Sequence, residues 1–167
     1  MEFADGGDLH KQIKARQPAM KYFREHEILF IFLQLCLALE HIHSKKMMHR
    51  DLKTANVLLT TTGLVKLGDF GFSRQYEDSL SNPVGSTFCG TPYYLSPELW
   101  RRAPYSKKTE MWALGVVLYE VMALKRPFGG KNMEELIDNI LHARRLALPA
   151  QYSPELCNIV EQLLSLD

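Results

Sequence analysis

The chain of 167 residues is short of three things: cysteine, net charge and long apolar runs. Its three cysteines, Cys36, Cys89 and Cys157, are widely spaced and odd in number. That argues against a disulfide framework or a zinc site, and it suits a reducing cytosol. A formal net charge of +1 gives no electrostatic case for nucleic acid or an anionic membrane as partner. The longest nearly apolar run, "MWALGVVLYEVMAL" at 111–124, is too short to cross a bilayer and carries Glu120 inside it, so a buried core helix is expected there. The N-terminal "MEFADGGDLH" shows neither the basic nor the apolar region of a secretory signal. No internal repeat or low-complexity tract is visible. What remains is a cytoplasmic globular domain: 46% hydrophobic and 23% charged residues are ordinary values, and the length suffices for one core.

Periodicity predicts mostly helix. Residues 8–16 read as a short helix with Asp8 as N-cap. In "EHEILFIFLQLCLALEHIHSKK", Ile28, Phe32, Leu35, Leu39 and Ile42 recur every three or four residues, which predicts an amphipathic helix with one face in the core. "NVLLT" and "LVKLG", separated by "TTG", predict a small β-hairpin. From Asp69 to Pro97 the chain is rich in Ser, Gly, Asn and Pro without periodicity, and a loop of that length inside a domain is usually functional. Three further helices are expected: the buried one near 109–124, an amphipathic one around 132–143 and a last one around 153–166. Nothing suggests a domain boundary.

Two polar clusters flank the hairpin. "HRDLKTAN" at 49–56 and "GDFG" at 68–71 bring together an Asp, a Lys, an Asn and a second Asp. "HRDLKTAN" matches the pattern H-R-D-L-x-x-x-N at every fixed position, "DFG" stands at 69–71, and "GTPYYLSPE" closes the segment at 90–98. By these three ordered motifs the chain resembles the large C-terminal lobe of eukaryotic protein kinases over essentially its whole length. Ser-Pro-Glu after Gly-Thr-Pro-Tyr-Tyr is closest in flavour to the NIMA-related kinases.

The resemblance implies an α+β, predominantly helical kinase-like C-lobe whose hairpin carries the catalytic and metal-binding loops. It divides the chain into a hinge at 1–8, a catalytic loop at 49–56 and an activation segment at 69–98. Phosphoryl transfer leaves little covalent work to a protein, so positioning and charge neutralisation dominate. On the family pattern Asp51 is the catalytic base. Lys53 neutralises the γ-phosphate, as in the serine/threonine-specific branch, and Thr91 hydrogen-bonds both. Asn56 and Asp69 supply oxygen ligands suited to Mg²⁺. The backbones of Glu2 and Ala4 would meet the adenine of ATP, Asp8 the ribose, and Leu58 the floor beneath the ring, with Met1 at the gatekeeper position. Thr87 matches the activating phosphosite, Ser86 being the weaker candidate. Arg50 and Arg74 would pair with that phosphate, placed there by an upstream kinase. Protein substrates bearing Ser or Thr are the implied partners. His49 and Phe70 are expected to pack on each other in the core, and Tyr93 and Tyr94 to pack rather than to be phosphorylated.

Two departures from the family pattern stand out. Glu110 occupies the place of an Asp that anchors the catalytic loop, so the anchor must shift or repack. The family's glycine-rich loop, strand lysine and helix-C glutamate precede the hinge, and the Arg that pairs with Glu98 follows "LLSLD". The chain therefore reads as a fragment beginning at an internal methionine. It is expected to bind ATP poorly by itself and to leave the Glu98 carboxylate without a partner. The rival expectation is a catalytically inactive, kinase-derived interaction module.

Overall fold

The computed structural model describes residues 4–71, the backbone of 74–75, and residues 92–166. Helix α1 (Leu9–Arg16) starts where Asp8 caps it: the backbone there is extended, and Asp8 Oδ1 accepts from Lys11 N at 2.8 Å. Helix α2 (Glu25–Ser44) starts with Glu27 reaching back to Arg24 N at 2.7 Å. Its Ile28, Leu35, Leu39 and Ile42 are buried as the periodicity predicts, while Phe32 is half-buried. Leu29, Phe30, Leu33 and Leu37 stay exposed on the other side. By length and apolarity alone it is α2, not the 111–124 run, that could cross a bilayer, with a mean hydropathy of 1.4 over its most apolar window. Core helices of soluble proteins pass the same test.

The hairpin forms as expected. Strands β2 (Val57–Leu59) and β3 (Val65–Leu67) pair antiparallel, with Val57 opposite Leu67. Patterning gave no hint of a second ribbon, in which β1 (Met47–Met48) pairs antiparallel with β4 (Arg74–Gln75). Two residues per strand are too few to leave an alternation in the sequence. Helix α3 (Pro97–Trp100) was likewise not expected, being a single turn opened by a proline.

Helix α4 (Lys107–Ala123) is the axis of the domain. From Thr109 to Ala123 only Met111 is not buried, as befits a helix apolar on all sides. Helices α2 and α6 (Pro154–Leu163) pack against it, and α5 (Met133–Leu141) lies against α3. Gly115 allows the close approach of α4 and the end of α6: a Cβ there would lie 2.8 Å from Leu163 Cβ and 2.9 Å from Leu164 Cδ2. Trp112 stacks on Phe128, ring centroids 5.4 Å apart and planes 5° from parallel. The Tyr152 hydroxyl lies 3.1 Å and 3.0 Å from the carbonyls of Phe23 and Met122, closing the base of the core. Beside it Glu25 accepts from Ser153 N and Oγ, and these bonds hold its carboxyl below the ordinary range.

Candidate active site

The loop after β1 is built around His49, which is fully buried. Asp51 N lies 3.3 Å from His49 Nδ1, and His49 Nε2 lies 2.9 Å from the Gly68 carbonyl. Those two contacts require the tautomer with hydrogen on Nε2. One imidazole therefore ties the 49–56 loop to the residue before Asp69. Phe70 meets His49 edge to face, centroids 4.9 Å apart. It is not a core residue, however: 45% of its surface is exposed.

Arg50 adopts a left-handed backbone with φ 67°, a conformation costly for a non-glycine residue. The strain is held by Glu110 Oε1, which accepts from Arg50 N at 2.7 Å. The Arg50 guanidinium lies over the Tyr105 ring, 5.4 Å from its centroid. Glu110 is fully buried. Besides Arg50 N it takes the Tyr105 hydroxyl at 3.2 Å and stands 2.5 Å from His43 Nε2. Burial and the Glu110 charge push the Tyr105 hydroxyl well above the ordinary tyrosine range. The extra methylene of Glu has been absorbed, and the loop anchor is in place.

Asp51 is 6% exposed. Its Oδ2 accepts from Lys53 Nζ at 2.6 Å and from Asn56 Nδ2 at 3.1 Å, and Asn56 Nδ2 also reaches the Asp51 carbonyl at 2.8 Å. Lys53 projects beside Asp51 because its own backbone is extended, φ −158° and ψ 162°, before a one-turn 3-10 helix at Thr54–Asn56. Asn56 engages through its amide nitrogen, so Oδ1 remains as an oxygen donor. Gly68 N donates to Asn56 O at 2.8 Å, and this continuation of the hairpin ties the residue before Asp69 to Asn56. Asp69 is exposed and left-handed, φ 60°, and Gly71 N reaches its Oδ1 at 3.3 Å. Among the described residues no group of three His, Cys, Asp or Glu gathers as a metal cluster.

On the other side of the hairpin, Gly6 N donates to Leu59 O and Leu59 N to Gly7 O, and Asp8 bridges Leu58. Residues 6–8 therefore lie along β2, where Leu58 is half-buried, and Ala4, also half-buried, precedes them. Asp8 Oδ2 stands 3.1 Å from Lys11 Nζ. Burial raises the Asp8 carboxyl, but its bonds and charge contact with Lys11 more than offset that and hold it low. Met1, Glu2, Ser86, Thr87 and Thr91 lie outside the described residues, as does the Arg74 side chain.

The comparisons decide what this arrangement belongs to. The protein kinase domain model matches residues 1–167. The chain belongs to the protein kinase domain family. It is 58% identical, over its whole length, to a Trypanosoma brucei brucei protein named serine/threonine-protein kinase A. It is 46% identical to mouse Nek3 and 44% to human Nek5, both named serine/threonine-protein kinases, over 98% of its length. It spans 39%, 31% and 23% of those three relatives.

Within the kinase domain, two features correct the reading of the sequence. Glu98 is not left alone, since Thr109 Oγ1 donates to it at 2.9 Å. Glu110 does anchor the loop, so it lends no support to a non-catalytic reading. Two further residues carry no signal in the motifs. Thr54 Oγ1, fully buried, donates to Glu120 Oε2 at 3.1 Å, and the Tyr94 hydroxyl donates to the same oxygen in a very short bond. A carboxylate in the middle of an apolar run was the only hint, because a buried charge demands partners.

Proposed function

We propose that the chain is the phosphotransfer lobe of an ATP- and Mg²⁺-dependent serine/threonine protein kinase, with the hinge at 1–8, catalytic loop at 49–56 and activation segment at 69–98. The observation that carries this reading is the buried Asp51 carboxylate held between Lys53 Nζ and Asn56 Nδ2. In the reaction Asp51 accepts the proton of the substrate hydroxyl. That oxygen bonds to the γ-phosphorus as the bond to the bridging oxygen breaks and ADP leaves. Lys53, within reach of Asp51, neutralises charge on the transferred group. Asn56 Oδ1 and the exposed Asp69 carboxylate are hard oxygen donors of the type Mg²⁺ takes, and the ion when bound neutralises phosphate charge. Asp8 bridges Leu58 of β2, and these two, with Ala4 and Glu2, would line the nucleotide side.

Thr87, or Ser86, is the proposed switch in the activation segment, phosphorylated by an upstream kinase and paired by Arg50 and Arg74. Protein Ser/Thr side chains are the proposed substrates, and the cytosol the proposed compartment. The test is phosphate transfer to a generic protein substrate by the full natural polypeptide that carries these residues. Asp51→Asn is expected to lower kcat by about 10²–10⁴-fold. Equal transfer by both proteins would remove Asp51 from the role given to it. Thr87→Ala with undiminished activity would remove the switch alone.

A further inference from the structure

Helix α4 presents two buried carboxylates to one loop. Glu110 takes Arg50 N at 2.7 Å, and Glu120 takes Thr54 Oγ1 at 3.1 Å. Ten residues of helix separate the two glutamates along the axis by about 15 Å. The four residues from Arg50 to Thr54 reach at most about 14 Å when extended. The two lengths are comparable, so Asp51 and Lys53 are carried on a short span fastened at both ends to one rigid element. Arg50 N would find some acceptor in any tight turn. Thr54 is different, since what ties it to α4 is a side-chain hydroxyl in a fully buried site.

That hydroxyl sits at a junction. Glu120 Oε2 accepts from both Thr54 and Tyr94, and the two hydroxyl oxygens are 3.0 Å apart. His10 Nδ1 of α1 approaches Thr54 Oγ1 at 3.4 Å. The outer oxygen of Glu120, Oε1, lies 3.6 Å from Arg126 Nε, and the Arg126 guanidinium lies flat on Tyr93, 3.7 Å from the ring centroid. Both oxygens of the carboxylate are thus engaged. Four parts of the chain meet there: α1, the 49–56 loop, the 3-10 turn at Pro92–Tyr94, and the loop after α4. Burial pushes the Glu120 carboxyl up and the Tyr94 hydroxyl up with it.

We propose that Thr54, held by Glu120 and Tyr94, is a positioning residue for phosphotransfer: it sets where Lys53 stands relative to Asp51. The inference rests on the phosphotransfer reading above. Thr54 is the first residue of the 3-10 turn that ends at Asn56, and it directly follows Lys53. Loss of its bond lets the start of that turn shift and moves Lys53 Nζ away from Asp51. Binding of nucleotide at the β2 edge does not pass through Thr54, so the effect falls on kcat.

The experiment uses the full natural polypeptide and compares Thr54→Val, Thr54→Ser and Tyr94→Phe, with Asp51→Asn alongside. Thr54→Val keeps the shape and removes the hydroxyl. Its kcat is expected to fall about tenfold or more with KM for ATP unchanged. Thr54→Ser is expected to restore most of the loss, and Tyr94→Phe to add little when combined with Thr54→Val, since both act through one carboxylate. An unchanged kcat in Thr54→Val, a fall in kcat and KM together, or no rescue by Ser would overturn the inference. Should Thr54→Val fail to fold, Tyr94→Phe decides by the same kcat-against-KM split. Full transfer by Asp51→Asn would instead bring down the phosphotransfer reading, whereas an inactive Asp51→Asn beside an unaffected Thr54→Val would bring down this inference alone.

Discussion

The two sides of the candidate site are held in opposite ways. Asp51 is almost wholly buried, faces Lys53 and Asn56, and belongs to a loop fastened to helix α4. Asp69 is exposed, left-handed, and reached by Gly71 N at 3.3 Å. The first group has its geometry imposed by the core; the second has its backbone bent and its carboxylate left in solvent. A group that handles a proton gains from rigid placement. An oxygen donor for a hydrated ion can be drawn in when the ion binds. One fold thus supplies a fixed half and an adaptable half on either side of a single hairpin.

That contrast breaks most visibly at Glu110. Glu110→Ala leaves Arg50 N, Tyr105 and His43 without their shared acceptor, at about 1–3 kcal/mol for each buried group left unpaired. Urea unfolding should show a large loss, with kcat falling too. Asp69→Asn, by contrast, should change stability by no more than about 0.5 kcal/mol while removing phosphotransfer. Comparable stability losses in both variants would erase the distinction. Glu110→Asp sharpens it: the shorter carboxylate cannot keep Arg50 N, Tyr105 and His43 together, so a smaller loss than for alanine is expected.

Next in size is Gly115→Ala, which tests whether the rigidity comes from the core rather than from the loop. The new methyl would press on Leu163 and Leu164, and overpacking of that kind costs about 1–3 kcal/mol. A lowered Tm with kcat retained at low temperature is the expected pair of results. An unaltered Tm would mean that α6 yields freely.

The smallest effect lies far from the site. Ser153 holds the Glu25 carboxyl below its ordinary value of 4.5, so that bond adds stability above this pH and loses it as pH falls through the depressed value. Thermal melts of Glu25→Gln should therefore show a shallower decline on the acid side than the native chain. Parallel curves would assign the acid sensitivity to other carboxylates.

Much of this was legible in the letters. Apolar spacing located α2, the Asp8 cap pointed to α1 and the apolar 111–124 run to α4, with α5 and α6 expected near where they lie; the H-R-D-L-x-x-x-N and D-F-G strings singled out Asp51, Lys53, Asn56 and Asp69. What escaped were features that only three dimensions create. The β1–β4 ribbon pairs residues far apart in two-residue strands. Thr54, Tyr94 and Glu120 are distant in sequence and meet because α4 runs behind the loop. Phe70 reads as core from its chemistry, yet it meets His49 with 45% of its surface exposed. Glu98 found a partner in Thr109, a residue whose hydroxyl had no pattern to announce it.

One helix side chain has a consequence for how the molecule meets others of its kind. Gln34 of α2 accepts from Val65 N at 2.9 Å and reaches the Gly63 carbonyl at 3.4 Å. It thereby occupies backbone groups at the start of β3 that an open ribbon would offer to a stranger's strand. A glutamine standing guard over an edge keeps the hairpin from recruiting copies of itself into a growing sheet.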